Sequence, residues 1–407
     1  MTSSSDAGIA QQYAFPIGGL HPPGGEYGTV RILDAPVADR TISFARGAPS
    51  ADILPHQAVR EAAARALESD WEKALSYGTG RGHLGLCEWI AELHGVEPGQ
   101  VMVTNGSMEA AAMIFRHLVS KGDGVVVEQP TYDRTLLLLQ QAGANLIPAP
   151  LEADGVDPAA VEAETAETTV RLAHVIPNFH NPAGCTLSLE KRSALVQLAA
   201  DRDFTLFEDD PYRLICFEDA RGKTMLDMDS ADRVIHASSF SKSVSPGVRV
   251  GYLVGPSEQI ATLAKRANET YISPNMLAES IVFELCRSGG LEENLTLVNA
   301  ALRERRDALV AALREHIPEA EFVVPEGGYF LWLDLNDDVD TKALLAEAKE
   351  EGVTFVAGPD FMLEGGTSSL RLSFAPVPAD EVSEGIQRLA RALARVRADR
   401  PAGAEAA

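Results

Sequence analysis

Val234-Ile235-His236-Ala237-Ser238-Ser239-Phe240-Ser241-Lys242-Ser243-Val244-Ser245-Pro246-Gly247-Val248-Arg249-Val250-Gly251-Tyr252-Leu253-Val254 sets one lysine on a loop between two short apolar runs. Runs of this length, closed by turn residues, read as strands buried on both faces. Serine hydroxyls precede Lys242, a Pro-Gly turn follows it, and Arg249 stands seven residues on. A lysine so placed is suited to form an imine with a carbonyl, with hydroxyls and a guanidinium nearby to hold an anion.

Working outward, the same kind of run recurs at Val101-Met102-Val103, Val125-Val126-Val127, Asn145-Leu146-Ile147-Pro148, His174-Val175-Ile176 and Thr205-Leu206-Phe207. Between the runs lie segments of helical periodicity, such as the one carrying Ala111, Ile114, Phe115 and Leu118. Strands alternating with helices predict an α/β fold whose large domain, residues 71–289, has a mainly parallel sheet covered by helices. A smaller α/β domain is expected from N- and C-terminal segments, residues 41–70 and 290–396. Its strands are placed at 322–324, 329–333, 353–356 and 370–374, and its closing helix at 380–396. Residues 1–40, rich in Ser, Gly and Pro, read as a partly flexible arm, and 397–407 as a disordered tail.

The 407 residues carry a formal net charge of −24, with acidic groups spread along the chain. Such a surface repels phosphate backbones and anionic lipid, which argues against nucleic-acid or membrane partners. Cys87, Cys185, Cys216 and Cys286 have no metal-ligand spacing, so no metal is expected and a reduced setting fits. The sequence shows no leader pattern and no apolar run of bilayer length; a cytoplasmic protein is the expectation.

Five features fall at predicted strand ends, where open α/β sheets bind ligands. Thr104-Asn105-Gly106-Ser107-Met108 offers a glycine turn and a helix N-terminus to an anion; Ser107 also suits an ordinary helix cap. Tyr132, after Glu128-Gln129-Pro130-Thr131, can stack on a planar ring or simply pack. Asn181, in Asn178-Phe179-His180-Asn181-Pro182-Ala183-Gly184, has an amide able to donate to a phenolate-type oxygen, in a sequence that also makes turns. Glu208-Asp209-Asp210-Pro211-Tyr212 sets a carboxylate for a protonated ring nitrogen and a phenol three residues on. The fifth is the Lys242 stretch. In this order the parts match what a phosphorylated pyridine aldehyde requires: phosphate cradle, ring stack, oxygen donors, pyridinium partner and imine-forming amine.

From about Ile42 to Arg395 the chain resembles the fold type I enzymes of pyridoxal 5′-phosphate (PLP), the aspartate aminotransferase superfamily, and in it the 2-aminoadipate and kynurenine aminotransferase branch. Asn181-Pro-x-Gly, Asp209-x-x-Tyr212 and Ser239-x-x-Lys242 with Pro246-Gly247-x-Arg249 carry the resemblance. It implies that Lys242 forms the internal aldimine and moves the proton, that Asp209 keeps the ring nitrogen protonated, and that Asn181 and Tyr212 bond the ring oxygen. It further implies that Gly106, Ser107, Met108, Ser239 and Arg249 bind phosphate and that Tyr132 stacks on the ring. Tyr77 would reach the phosphate of the neighbouring subunit in a homodimer, and Arg371 would clamp the substrate α-carboxylate. Three positions depart from the pattern: Cys87, where the family commonly has Arg; Met108, a thioether in place of a polar residue; and Arg46, where a glycine is usual. Arg46 is expected to select substrates with a carboxylate-bearing side chain, or else to face outward.

The implied activity is exchange of an amino group between an L-amino acid and a 2-oxo acid such as 2-oxoglutarate. Because the motifs report the cofactor and not the bond broken, a PLP lyase, decarboxylase or oxidase on the same fold is the alternative. An aminotransferase-like transcription regulator is disfavoured, since about 40 residues of Gly/Pro-rich leader cannot hold a winged helix and the charge repels DNA.

Overall fold

A computed structural model describes residues 40–218, 222–336 and 339–398. The arm expected over 1–40 lies outside the described residues except for Arg40, as does the expected tail from 399 onward. Thirteen strands occur among the described residues. In chain order they are β1 (Ile42–Ser43), β2 (Val101–Thr104), β3 (Gly124–Gln129), β4 (Asn145–Glu152), β5 (Gly155–Val156), β6 (Val170–Val175), β7 (Thr205–Asp209), β8 (Val234–Ser239), β9 (Gly251–Val254), β10 (Phe330–Asp334), β11 (Val353–Thr354), β12 (Val356–Ala357) and β13 (Ser369–Ser373).

Eight of them form one sheet in the order β2-β9-β8-β7-β6-β3-β4-β5. The pairs β4/β3, β3/β6, β6/β7 and β7/β8 are parallel, whereas β9 runs antiparallel to both β8 and β2, and β5 antiparallel to β4. The apolar runs behave as expected for strands covered on both faces: all of β2, β8 and β9 is buried. On one face Leu172, Phe207, Ile235 and Ala237 join the core formed with Ala111, Ile114 and Phe115 of helix Ser107–Leu118. Leu206 and Val234, pointing the other way, pack with Leu195 and Ala199 of helix Leu189–Arg202.

β10, β13 and β12 make a small antiparallel sheet, with Trp332 opposite Arg371. β1 pairs in parallel with β11, Ile42 opposite Val353, so the segment after β1 lies against the C-terminal part of the chain. The long helix is Gly290–His316 and the closing helix Ala379–Ala398. Two strand expectations change. Residues 322–324 form no strand; only an isolated bridge between Glu321 and Asp334 precedes them, and Val323 and Val324 are partly exposed. Pro325, which follows, has no N–H to continue a ladder and disfavours pairing here. The strand expected over 353–356 is interrupted at Phe355, leaving β11 and β12 on different partners. No helix among the described residues is long and apolar enough to cross a membrane.

Candidate active site

The C-terminal ends of β2, β6, β7 and β8 deliver the sequence-selected residues to one edge of the sheet. After β2 the chain turns at Gly106, which caps helix Ser107–Leu118 with φ 91° and ψ 159°. A Cβ there would lie 2.4 Å from Arg249 Nη2, so only glycine lets this guanidinium close over the turn. The N–H groups of Ser107 and Met108 have no preceding helical carbonyl to bond, and with the helix dipole they favour an anion. Arg249, in the left-handed region at φ 50°, donates to Ser241 Oγ (3.0 Å) and to the Asn105 carbonyl (3.3 Å). Ser239 ends β8 and caps the short helix Phe240–Ser243, its hydroxyl accepting from Ser241 N at 3.1 Å.

Lys242 sits on that short helix. Its Nζ donates to the Gly47 carbonyl at 2.6 Å and lies 5.5 Å from the Tyr212 ring centroid and 5.2 Å from that of Tyr329. Among the described residues it has no ion-pair partner. Burial, then the positive charges of Arg371 and Arg249, bring its amine down to about 8, the direction expected for a group that must be neutral to react.

Asp209 ends β7 with its carboxyl buried. Oδ2 lies 3.4 Å from His174 Nε2, while Oδ1 has no partner. A buried carboxylate oxygen left open in this way marks a place for a donor from outside the chain. His174, one strand over on β6, also lies 3.4 Å from Thr135 Oγ1. Tyr212 is buried, edge-on to Tyr329 and Phe330, and burial holds its hydroxyl well above the ordinary phenol range. Tyr132 precedes helix Asp133–Ala142; burial first, then Asp133 and Asp209, raises its phenol.

Asn181 Oδ1 accepts from Arg371 Nη1 at 2.9 Å. The turn that presents Asn181 is latched by His180. Its Nδ1 accepts from Ala183 N (3.2 Å), which fixes the proton on Nε2, and Nε2 donates to Glu128 Oε2 (2.9 Å). Glu128 Oε2 also accepts from Ile176 N at 2.9 Å, so one buried pair ties together the ends of β3 and β6 and the Asn181 turn. Arg371, on β13, is buried between Phe330 (4.3 Å) and Phe361 (4.7 Å). Nη2 donates to the Ala45 carbonyl at 2.8 Å, Nε has no partner, and no carboxylate pairs with it among the described residues. Burial lowers its pKa, the sign of a guanidinium short of compensating charge.

Gly106, Ser107, Asp209, Asn181, Tyr212, Tyr132, Ser239, Lys242, Arg249 and Arg371 are therefore brought together, with Met108 in the first turn after Gly106. Tyr77 is not: it is 83% exposed and makes no hydrogen bond or ring contact among the described residues. Arg46 is also exposed and without an ion pair there, although its neighbours Ala45 and Gly47 hold Arg371 and Lys242. Sequence reading passed over His174, the Glu128–His180 pair, Ser241 and Tyr329. The only signal for the first was a histidine in an apolar strand.

A buried lysine between two tyrosine rings, with an open carboxylate and an uncompensated arginine at the same sheet edge, is the site of an amine-handling α/β enzyme. The chain belongs to the aminotransferase class I and II family, whose profile matches residues 40–389. It is 33% identical over 357 residues to a 2-aminoadipate transaminase of Thermus thermophilus, covering 86% of this chain and 90% of that one. Among solved structures it resembles an alpha-aminoadipate aminotransferase from the same species, complexed with N-(5′-phosphopyridoxyl)-L-leucine. The TM-score is 0.84 and the identity 33%, over 88% of this chain and 93% of that one. A kynurenine aminotransferase of Pyrococcus horikoshii, in complex with PMP, gives a TM-score of 0.83 at 32% identity, over 88% and 91% of the two chains.

Proposed function

We propose that the chain is a PLP-dependent aminotransferase that passes an amino group from an L-amino acid to a 2-oxo acid such as 2-oxoglutarate. The observation that carries this reading is the buried Arg371 without a carboxylate, in the same crevice as the Lys242 amine and the unpartnered Asp209 Oδ1. The residues fit the cofactor. Gly106, Ser107, Met108, Ser239 and Arg249 would hold its phosphate, Tyr132 would stack on its ring, and Asn181 and Tyr212 would donate to its ring oxygen. Asp209 Oδ1 would accept from the ring N–H. When bound, the cofactor supplies an electron sink for the substrate Cα–H bond. Lys242, neutral in a useful fraction near pH 8, takes up and returns the Cα proton. Arg371 fixes the α-carboxylate and so decides which face of Cα meets Lys242.

Arg46 stands between the residues whose carbonyls hold Arg371 and Lys242, and we assign it to recognition of an acidic side chain on the substrate. Arg46→Gly should lower kcat/KM for acidic donors about tenfold and leave aromatic donors within twofold; equal change for both classes removes this assignment. The exposed Trp71, Leu75, Tyr77 and Ile272 support a homodimer as part of this reading, with Tyr77 reaching the partner's phosphate site. Mixing Tyr77→Ala with Lys242→Ala protein should regenerate one intact site per mixed dimer, and no recovered activity would exclude the shared site. Small-molecule substrates and a cytoplasmic setting complete the reading, the latter in keeping with four free cysteines.

The half-reaction is the test. The purified protein should show the cofactor's visible band, lose it stoichiometrically on adding an amino acid alone, and regain it with a 2-oxo acid. A lyase, decarboxylase or oxidase would turn over without the oxo acid. A protein without the band, or whose band is unchanged in Lys242→Ala, overturns the proposal.

A further inference from the structure

Tyr329 touches Lys242 twice. Its hydroxyl donates to the Lys242 backbone carbonyl at 3.0 Å, and its ring lies 5.2 Å from the ε-amine. The side chain is fully buried, and its ring meets that of Tyr212, the other aromatic facing the amine, edge-on at 5.4 Å. The approach to Tyr329 is a tight one. A Cβ on Gly327 would lie 2.2 Å from the Ile215 carbonyl, and Gly328, at φ 68°, donates to that same carbonyl at 2.8 Å. Beyond Tyr329, its carbonyl accepts from Phe374 N at 3.0 Å. The main chain is thus held on both sides of Tyr329, which fixes where the side chain starts toward the lysine.

The surroundings of the amine give the second half of the argument. The charged groups acting on it are Arg371 from the small sheet and Arg249 from the turn before β9, both cations. The Tyr212 and Tyr329 hydroxyls are the titratable groups on the facing rings, and burial raises both. Among the described residues, what favours the ammonium form is therefore one carbonyl, that of Gly47, and the two ring faces.

We propose that Tyr329 is a positioning residue for Lys242, its hydroxyl fixing the lysine's main chain and its ring face setting where the free ε-amine rests. The inference rests on Lys242 being the reactive lysine, so every variant is compared only after it shows the cofactor's visible band. Absence of the band in the wild-type protein marks failure of that earlier reading and not of this one, whereas a band lost only in a folded Tyr329 variant is an effect of Tyr329 on Lys242.

The test uses Tyr329→Phe and Tyr329→Leu with the cofactor in its amine form, which leaves Lys242 free. Acylation of Lys242 is followed against pH by peptide mass spectrometry, beside the kinetics of the half-reaction. Tyr329→Phe keeps the ring, so the acylation midpoint should stay near that measured for wild type. Its kcat should fall about tenfold with KM unchanged, because the helix under Lys242 has lost its anchor. Tyr329→Leu removes the ring face that favours the ammonium, so its midpoint should move down by about 0.5 to 1.5 in pH. A Tyr329→Leu midpoint that stays or rises overturns the role of the ring. A Tyr329→Phe kcat within twofold of wild type overturns the role of the hydroxyl. A lowered melting temperature with both readouts unchanged shows a purely structural tyrosine and overturns both.

Discussion

Replacing Arg371 by lysine keeps the charge and discards the fork. Its buried guanidinium spends Nη1 on Asn181 and Nη2 on the Ala45 carbonyl, both under 3 Å, and lies between two phenyl rings. A lysine ammonium is a single rotatable donor group that cannot hold Asn181 and Ala45 and also meet a carboxylate in a planar pair. The loss amounts to about one charge-assisted hydrogen bond, roughly 1.5–3 kcal/mol, plus looser aim at the carboxylate. At about 1.4 kcal/mol per tenfold, Arg371→Lys should lower kcat/KM for an amino donor by about 10²-fold. Most of the effect should fall on KM, since the contact exists before the proton moves. Because the positive charge remains, the setting of Lys242 is disturbed less than by alanine. Stopped-flow loss of the visible band against donor concentration measures both constants. A primary amine without a carboxylate serves as control and should change less than threefold. Equal loss for the amine and the amino acid would refute a carboxylate clamp and make Arg371 a structural cation.

Gly106→Ala places a methyl against Arg249 and forces a φ of 91° on a residue that tolerates it poorly, so cofactor affinity by equilibrium dialysis should fall about 10- to 100-fold. His180→Leu leaves Glu128 Oε2 with Ile176 N alone and strands the Ala183 N–H; a stability loss of about 1–3 kcal/mol in denaturant titration is expected, with a raised KM as the Asn181 turn loosens. Glu279 is buried, accepts from His83 N at 2.6 Å, has Oε1 without a partner, and is pushed up by burial to about 8. A carboxyl raised on folding favours the fold while protonated, and that contribution drains away as pH rises from its ordinary 4.5 through about 8. Glu279→Gln should therefore flatten the fall in melting temperature between pH 5 and about 8.5, and an unchanged slope would show that Glu279 does not titrate with folding.

The central sheet could be read from the chain because each of its buried strands is a short apolar run closed by Gly, Pro, Asn or Ser. The residues that meet at its edge could be read for a related reason: Gly106, Asp209 and Lys242 stand at or just past strand ends, where side chains leave the core. The strand expected over 322–324 was misplaced because Phe-Val-Val has the composition of a strand, while pairing depends on the proline that follows. His174 and Tyr329 escaped for a different reason. His174 lies opposite Phe207 on the neighbouring strand, and alternation puts Asp209, two residues on, on the same face. That relation requires knowing that β6 lies beside β7, which no local pattern states. Once the order β3-β6-β7-β8 is known, the inward-facing polar residues on adjacent strands can be paired by register alone. The Glu128–His180 latch needs one fact more, the turn geometry that brings a histidine back under its own loop. Composition and spacing thus name the groups that touch a ligand at a strand end, and strand order is required to name the groups that hold them there.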